Sequence, residues 1–517
     1  MDRTKKSLKN LYIAFIGQFI GIIISFVSRS LFIKFLSKEY LGINGLFTNV
    51  LQMLSLVELG IGPAIIYSLY KPLSQNNEKE ISAIMNVYKK IYIVIGTIII
   101  FLGIVLTPFI NVFIKESPNI SDNIYIIFLL FVLNSGISYF FSYKRDLIIA
   151  DQKRYIATIY RYSIYFILNV FQIIVLYVTS NYYLFLILQI VATLIENVLI
   201  SIKANKLYPF LKDKNINKLD TEIKNKIVKN TKATVFHKVG GLVVNSTDNI
   251  LISKLVSVSA VGLYSNYYLI INALNTIIAQ IFSSVTASVG NLNASESSTK
   301  SHDIFLKLLF LNFAIISFCS VVFSSIVNIF IKLWIGEDYI FSFPLVIIIT
   351  ICFYLNGMRK AVLTFKDAFG LYWEDRYKPI AEVIINIVFS ILLGIKFGVA
   401  GIFLGTIISN VSTCLWIEPK VLYKYGFKMK SNEYFIKYFQ YFFFTVLFSS
   451  ISLFLCSIID ANGIIGLIIK GAVSSSLVII LIFLFFRKKE EFLYFKKIIV
   501  MNIHSVKKKI GKINRIN

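Results

Sequence analysis

Apolar residues form long continuous runs along the whole chain, separated by short polar or basic segments. The runs do not alternate apolar and polar positions, so they favour helices over the strands of a membrane barrel. A helix needs about 20 apolar residues to cross the hydrocarbon core, and we predict about fourteen such spans. They lie at residues 11–36, 41–69, 88–114, 124–149, 156–179, 182–203, 233–257, 261–289, 304–331, 341–366, 378–396, 398–422, 434–459 and 464–486.

The composition agrees with a bilayer as the main solvent. Of the 517 residues, 57% are hydrophobic and only 15% are charged, and the mean hydropathy is +0.74. A soluble protein of this length keeps more polar residues to cover its surface. We therefore predict an all-α integral membrane protein whose permanent partner is the lipid bilayer.

The net charge of +26 would favour a nucleic-acid partner in a soluble protein. Here the cations follow the topology. With the N-terminus inside, about 45 of the 53 Lys and Arg residues fall in or beside cytoplasmic segments. We therefore expect cytoplasmic termini, anionic inner-leaflet lipids as the counter-charge, and no nucleic acid. A composition rich in Ile, Lys and Asn fits an A+T-rich bacterial genome, and we expect the protein in the plasma membrane of a bacterium.

The two halves of the chain resemble each other at an offset of about 220 residues. Phe32 to Ser37, followed by Leu41-Gly42, matches Ile252 to Ser257, followed by Val261-Gly262. An even number of spans separates the copies, so both insert in the same orientation, as parallel repeats about an axis along the membrane normal. We predict an N-terminal lobe at 1–215, a C-terminal lobe at 216–430, two further spans at 431–490 and a basic cytoplasmic tail at 491–517.

Several charged residues lie inside predicted spans, where a charge costs at least about 2.5 kcal/mol unless it lines a cavity or is paired. Cations in such places suit an anionic cargo such as a pyrophosphate, because guanidinium groups bind phosphate oxygens with two hydrogen bonds. We single out three groups. The candidate substrate-binding cations are Arg29, Lys34, Lys254 and Arg359; the candidate ion-coupling or charge-pair carboxylates are Asp248, Glu58, Glu196 and Glu382; and the inner-end cations are Arg145, Arg161, Lys366 and Lys378.

For each of these residues a structural role remains an alternative. Lys34 and Lys254 lie close enough to the outer interface to snorkel, and the inner-end cations are also suitable topology anchors. Asp248 is either the partner of a cavity cation or a proton or sodium site. The four cysteines lie singly inside apolar runs and only three histidines occur, so we expect no metal site and no cofactor.

Three stretches resemble a known family. They are Val57 to Gly62; Ser246 to Ile252 with Val261 to Ser265; and Ile385-Asn386 through Gly398 to Thr406. In order and spacing the chain resembles the polysaccharide transporter family of lipid-linked oligosaccharide flippases, within the MOP superfamily. The resemblance implies two six-helix lobes around a central cavity, two extra C-terminal helices and alternating access. It also implies that a cation in span one helps to bind the anionic head, and Arg29 is the matching residue.

The resemblance implies a flippase that moves a polyprenyl-pyrophosphate-linked oligosaccharide from the inner to the outer leaflet for cell-surface polysaccharide. Glycosyltransferases and the polymerase of the same pathway are further candidate partners. One alternative is a MATE-type exporter of small molecules or ions, which would favour an acidic cavity. Another is a membrane polysaccharide polymerase, but no outer loop is large enough for a catalytic domain and no catalytic motif occurs. We therefore predict that the protein is not an enzyme.

Overall fold

A computed structural model describes residues 2–58, 61–212, 243–244, 246–295, 297–371 and 373–497. These residues form helices, which confirms the all-α fold class. The first helices are α1 (Asp2–Phe35), α2 (Lys38–Leu54), α3 (Ile61–Ser74), α4 (Glu78–Leu106), α5 (Ile124–Ala150), α6 (Arg154–Thr179) and α7 (Tyr182–Leu207). They are followed by α8 (246–255), α9 (Val258–Ser295), α10 (Ser298–Ile335), α11 (Phe343–Phe369), α12 (Lys378–Ser409), α13 (Leu415–Val421), α14 (Asn432–Ile458) and α15 (Gly463–Phe486).

Among the described residues, ten helical stretches are long and apolar enough to cross a membrane. One of them, Lys378–Phe427, is 50 residues long and corresponds to predicted spans eleven and twelve. It is divided at Gly398, where φ is 58°, a value that glycine adopts readily. The chain reverses there, since Ser390 Oγ donates to Ile402 O at 3.0 Å. The predicted boundary between 396 and 398 is therefore confirmed.

Predicted span two is also divided. Helix α2 ends at Leu54, a short 3₁₀ turn covers Ser55–Glu58, and α3 begins at Ile61. A proline at position 63 favours the interruption, because proline lacks the backbone N–H that a continuous helix would use there. The first part of predicted span seven, residues 233–242, and residue 245 lie outside the described residues, and the later part is seen as α8.

The apolar surface faces outward on several helices. In α1 and α15 only 11% of the most apolar 18-residue window is buried, and Ile464, Ile465 and Ile468 of α15 are all exposed. A soluble protein rarely leaves apolar patches of this size in water. The helices therefore present the surface that a bilayer solvates.

The chain divides into two compact units, Met1–Ser265 with Ser390–Ile402, and Asn266–Phe389 with Phe403–Asn517. In the first unit α4 packs on α5, α5 on α7, and α1 on α6. In the second unit α10 packs on α11, α14 and α15, and the rings of Phe313 and Tyr441 stack 4.3 Å apart. The predicted lobes at 1–215 and 216–430 remain a prediction.

Within the first unit, two matched segments of the predicted repeat touch each other reciprocally. A Cβ placed on Gly42 would lie 1.9 Å from Val258 O, and one placed on Gly262 would lie 2.3 Å from Lys38 O. Ser259 Oγ donates to Glu39 Oε1 at 2.8 Å. At the offset of 220 residues, Val258 corresponds to Lys38 and Gly262 to Gly42. Each glycine therefore contacts the equivalent residue of the other copy, as a two-fold axis between the copies requires. The contact therefore supports the parallel repeat predicted from the sequence.

Replacing Gly262 with alanine is expected to lower the free energy of unfolding by about 1–3 kcal/mol, because the new methyl group has no room against backbone. Thermal unfolding in detergent measures this change. Gly471 is the matched control, since the nearest atom to its added Cβ lies 3.8 Å away. A Gly262→Ala protein as stable as the Gly471→Ala protein would contradict the close contact.

Candidate functional site: buried charges in the two units

Arg29 lies on α1 in the first unit and is half-buried. Its Nη1 donates to Ser265 Oγ at 2.8 Å, and the phenol groups of Tyr165 and Tyr182 lie near its guanidinium. Arg29 forms no ion pair with any residue that the structure describes. Most of its five N–H donors therefore have no protein acceptor in this part of the chain.

The surroundings of Arg29 are polar but neutral. Ser25 Oγ lies 3.0 Å from the Tyr165 hydroxyl, and Asn44 Nδ2 donates to the Tyr182 hydroxyl at 3.4 Å. A cation in an apolar span is costly unless an anion compensates it. The arrangement around Arg29 therefore provides a positively charged position at which an anionic ligand would supply the missing compensation.

Lys34 and Lys254, which occupy matching positions of the repeat, are both exposed at the ends of α1 and α8. Neither forms an ion pair with a described residue. Their exposure is compatible with snorkelling to the interface and with contact to a charged headgroup. Their predicted role in substrate binding remains a prediction.

The second unit buries a compensated cluster of four charges. Arg359 Nη2 lies 2.6 Å from Glu418 Oε1 and Nη1 lies 3.6 Å from Glu382 Oε1. Lys378 Nζ lies 2.6 Å from Glu382 Oε2 and 2.7 Å from Glu418 Oε1. The side chains of Lys378, Glu382 and Glu418 are at most 6% exposed. Two cations and two carboxylates thus neutralise each other within the cluster.

The local backbone places these four side chains together. Arg359 comes from α11, Lys378 and Glu382 lie four residues apart on α12, and Glu418 comes from α13. A spacing of four residues puts two side chains on one helix face. Two π-helical stretches, Asn410–Cys414 and Leu422–Phe427, flank α13. A small pocket with room for about one water molecule opens beside Arg359, and Asn410 Oδ1 accepts a hydrogen bond from Arg359 Nη1 at 3.1 Å.

Sequence reasoning placed Arg359, Lys378 and Glu382 in three different roles, and the structure brings them together. It missed Glu418, because that residue lies near the predicted inner end of span twelve, beside Pro419 and Lys420. The available signal was a single carboxylate in a long apolar run. An unpaired charge is costly in a span, so such a carboxylate is expected to have a cationic partner. The predicted role of Arg359 in substrate binding remains a prediction, and its donors are already occupied.

The other predicted residues lie in separate places. Arg145 Nη2 lies 2.7 Å from Glu196 Oε1, Lys366 pairs with the buried Asp375, Arg161 is exposed, and Asp248 is buried. Glu58 accepts a hydrogen bond from the Tyr92 hydroxyl at 2.6 Å. Among the described residues, no group of three or more His, Cys, Asp and Glu side chains could hold a metal ion.

Comparison with protein families gives one match. Residues 7–287 match the family described as polysaccharide biosynthesis protein. This region covers more than half of the chain and includes Arg29, Glu58 and Asp248. A search of curated proteins found no matching relative.

Comparison with solved structures gives similar folds over most of the chain. The lipid II flippase MurJ, in an inward closed conformation, is 15% identical with a TM-score of 0.63, covering 92% of this chain and 98% of that one. A multidrug resistance MATE family transporter of the MOP superfamily, in an inward-facing conformation, is 12% identical with a TM-score of 0.59, covering 81% and 99%. A Vibrio cholerae MATE transporter is 10% identical with a TM-score of 0.57, covering 82% and 98%.

These likenesses confirm the predicted MOP-type helical fold. They do not choose a cargo, because the similar structures include a lipid II flippase and multidrug transporters. The cargo must be argued from the charges of this chain, since function depends on the site and not on the fold.

Proposed function

We propose a transport function from one premise: the chain belongs to the polysaccharide biosynthesis protein family. It is a multi-pass membrane protein with the fold of flippases and transporters of the MOP superfamily. On this basis we propose that it moves a polyprenyl-pyrophosphate-linked oligosaccharide from the inner to the outer leaflet by alternating access. The product would serve the synthesis of cell-surface polysaccharide.

The uncompensated charge of Arg29 supports an anionic cargo. The guanidinium donates to a neutral serine at 2.8 Å and has no described carboxylate partner. A pyrophosphate would supply the missing acceptors and match the planar fork of donors. The apolar tail of such a lipid would stay in the bilayer, where each buried CH₂ group contributes about 0.8 kcal/mol.

A MATE-type exporter of small cations is the second candidate, and it would favour an unpaired carboxylate in a span. Three of the described carboxylates in predicted spans are paired with cations. Glu382 and Glu418 are neutralised by Arg359 and Lys378, and Glu196 is neutralised by Arg145. Glu58 and Asp146 have no described ion-pair partner, so the carboxylates alone do not select the cargo. The argument for an anion rests on Arg29, which has no described carboxylate partner.

We also propose where the protein acts and with which partners. The protein acts in a bacterial plasma membrane with both termini in the cytoplasm, and it catalyses no covalent step. Glycosyltransferases that build the lipid-linked sugar and the polymerase that consumes it are its pathway partners. Lys34 and Lys254 remain candidate contacts for the headgroup.

Movement of a lipid-linked sugar between the leaflets of a vesicle membrane tests the function. Purified protein in vesicles that contain a fluorescent polyprenyl-pyrophosphate oligosaccharide is expected to expose the sugar to an added membrane-impermeant lectin faster than empty vesicles do. The same vesicles loaded with a cationic dye report on the exporter alternative. Dye efflux without sugar exposure would replace the proposed function with that alternative.

A further inference from the structure

Four polar side chains form a continuous chain of oxygen atoms in the first unit. Tyr92 Oη lies 2.6 Å from Glu58 Oε1 and 3.0 Å from Tyr88 Oη, and the Tyr88 hydroxyl contacts Asp146 Oδ2. Glu58 ends the 3₁₀ turn that interrupts span two, the tyrosines lie on α4, and Asp146 lies on α5. We call these four residues the carboxyl–tyrosine chain.

The middle of the chain is shielded and its ends are half-open. Tyr88 and Tyr92 are at most 3% exposed, whereas Glu58 and Asp146 are half-buried. Gly62 of α3 leaves the space for this arrangement, since an added Cβ would lie 2.9 Å from the Tyr92 hydroxyl oxygen. The packing therefore holds the two hydroxyl groups in line between the two carboxyl groups.

Within the part of the chain that the structure describes, no cation forms a direct ion pair with the carboxyl group of Glu58 or of Asp146. The titratable groups beside the chain are Tyr139, Tyr143 and Arg145 on α5, and Arg145 attracts the Asp146 carboxylate without a direct ion pair. Lys89, Lys144 and Glu196 lie next to these groups or to each other. Of these, Arg145 is paired with Glu196, Lys144 donates to Ser201 and Asn205, and Tyr139 faces Glu58.

Counting protons along the chain shows that the two tyrosines do not supply enough. The three oxygen–oxygen contacts each need one proton between the oxygens. Each tyrosine hydroxyl has one proton to donate, and an ionised carboxylate has none. If both carboxyl groups were ionised, one contact would join two acceptors without a hydrogen, which is unfavourable in a buried site. One carboxyl group must therefore carry the third proton.

We propose that the carboxyl–tyrosine chain is a proton-binding site in which Glu58 and Asp146 share one exchangeable proton through Tyr92 and Tyr88. Reversing the three hydrogen bonds moves the proton from one carboxyl group to the other without moving a heavy atom. Release of the proton to water leaves two carboxylates and one broken contact. The interrupted part of span two is then held less tightly against α4, which gives proton loss a structural effect. The site goes beyond the proposed function and does not depend on the cargo.

Infrared difference spectroscopy of the purified protein, without any lipid-linked sugar, tests the site. The C=O stretching band of a protonated carboxylic acid is expected at neutral pH in the wild-type protein. The Glu58→Gln variant is expected to lose the band intensity of one protonated carboxyl group. The amide N–H of the new side chain supplies the third hydrogen, so Asp146 stays ionised. The Asp146→Asn variant is expected to lose the same intensity, because the asparagine amide donates to Tyr88 and Glu58 stays ionised.

The double variant distinguishes a shared proton from two separate ones. Glu58→Gln combined with Asp146→Asn is expected to remove no more than either single variant does. Glu337→Gln is the control, because Glu337 is exposed and ion-paired with Lys332 at 2.9 Å, and it is expected to leave the band unchanged. A band that survives both single variants, or a double variant that loses two equivalents, would overturn the shared proton. Since no cargo is present, either result is independent of whether the protein moves a sugar.

Discussion

Replacing Arg29 with alanine is expected to abolish surface polysaccharide while the protein remains in the membrane. The change removes a guanidinium that has no described ion-pair partner and whose one hydrogen bond to a described side chain goes to Ser265. Hydrogen bonds to a charged group contribute about 1.5–3 kcal/mol, so affinity for a polyprenyl pyrophosphate is expected to fall about ten- to a hundredfold. Binding by protein in lipid nanodiscs and polymer output in cells measure the two effects.

Two further variants separate charge from geometry. Arg29→Lys keeps the charge but loses the planar fork of donors, and we expect an intermediate affinity. Arg154→Ala removes an exposed arginine at the start of α6 in the same unit, and we expect wild-type binding. Normal polymer output from the Arg29→Ala protein would exclude Arg29 from the binding site and remove the main support for an anionic cargo.

Replacing Glu418 with glutamine is expected to lower the free energy of unfolding by about 3–5 kcal/mol, the cost of breaking a buried ion pair on one side. Arg359 and Lys378 would then face Glu382 alone, leaving an excess positive charge in a closed site. The fall should appear in thermal unfolding of the protein in detergent. Arg359→Met is expected to cause a loss of similar size, because it leaves the opposite charge uncompensated.

Glu337→Gln is the matched control for Glu418→Gln. Glu337 pairs with Lys332 at 2.9 Å, but their side chains are 69% and 53% exposed. Exposed pairs contribute about 0–1 kcal/mol, so little change is expected. If Glu418→Gln and Arg359→Met left stability unchanged and reduced transport, the cluster would act on the cargo, as the sequence-based role of Arg359 proposed.

The positions of the helices could be predicted from the sequence because hydropathy reports directly on burial in a bilayer. The reversal at Gly398 and the contact between Gly42 and Gly262 also have signals in the chain, a glycine between two apolar runs and a repeated segment. In both cases the information lies within one local pattern. The all-α fold and its repeat were therefore open to prediction.

The partners of the buried charges could not be predicted in the same way. Hydropathy shows how deep a residue lies in a span but not which neighbouring helix it faces, and Arg359 and Glu418 are 59 residues apart. Tyr88 and Tyr92 look like ordinary aromatic residues of an apolar helix until Glu58 and Asp146 are placed beside them. Arg29 was identified because a single arginine in a long apolar run is costly, and its lack of a partner needed the structure.

The reciprocal contact of Gly42 with Val258 and of Gly262 with Lys38 has the form of an isologous interface, in which the same patch is used twice. If two copies of a half-length chain formed this contact, one substitution would alter both sides together. In this chain the two glycines are separate positions that can change separately, yet both serve a single helix crossing. Once a larger side chain at one glycine has pushed the two helices apart, a substitution at the other glycine is expected to lower the free energy of unfolding by little more.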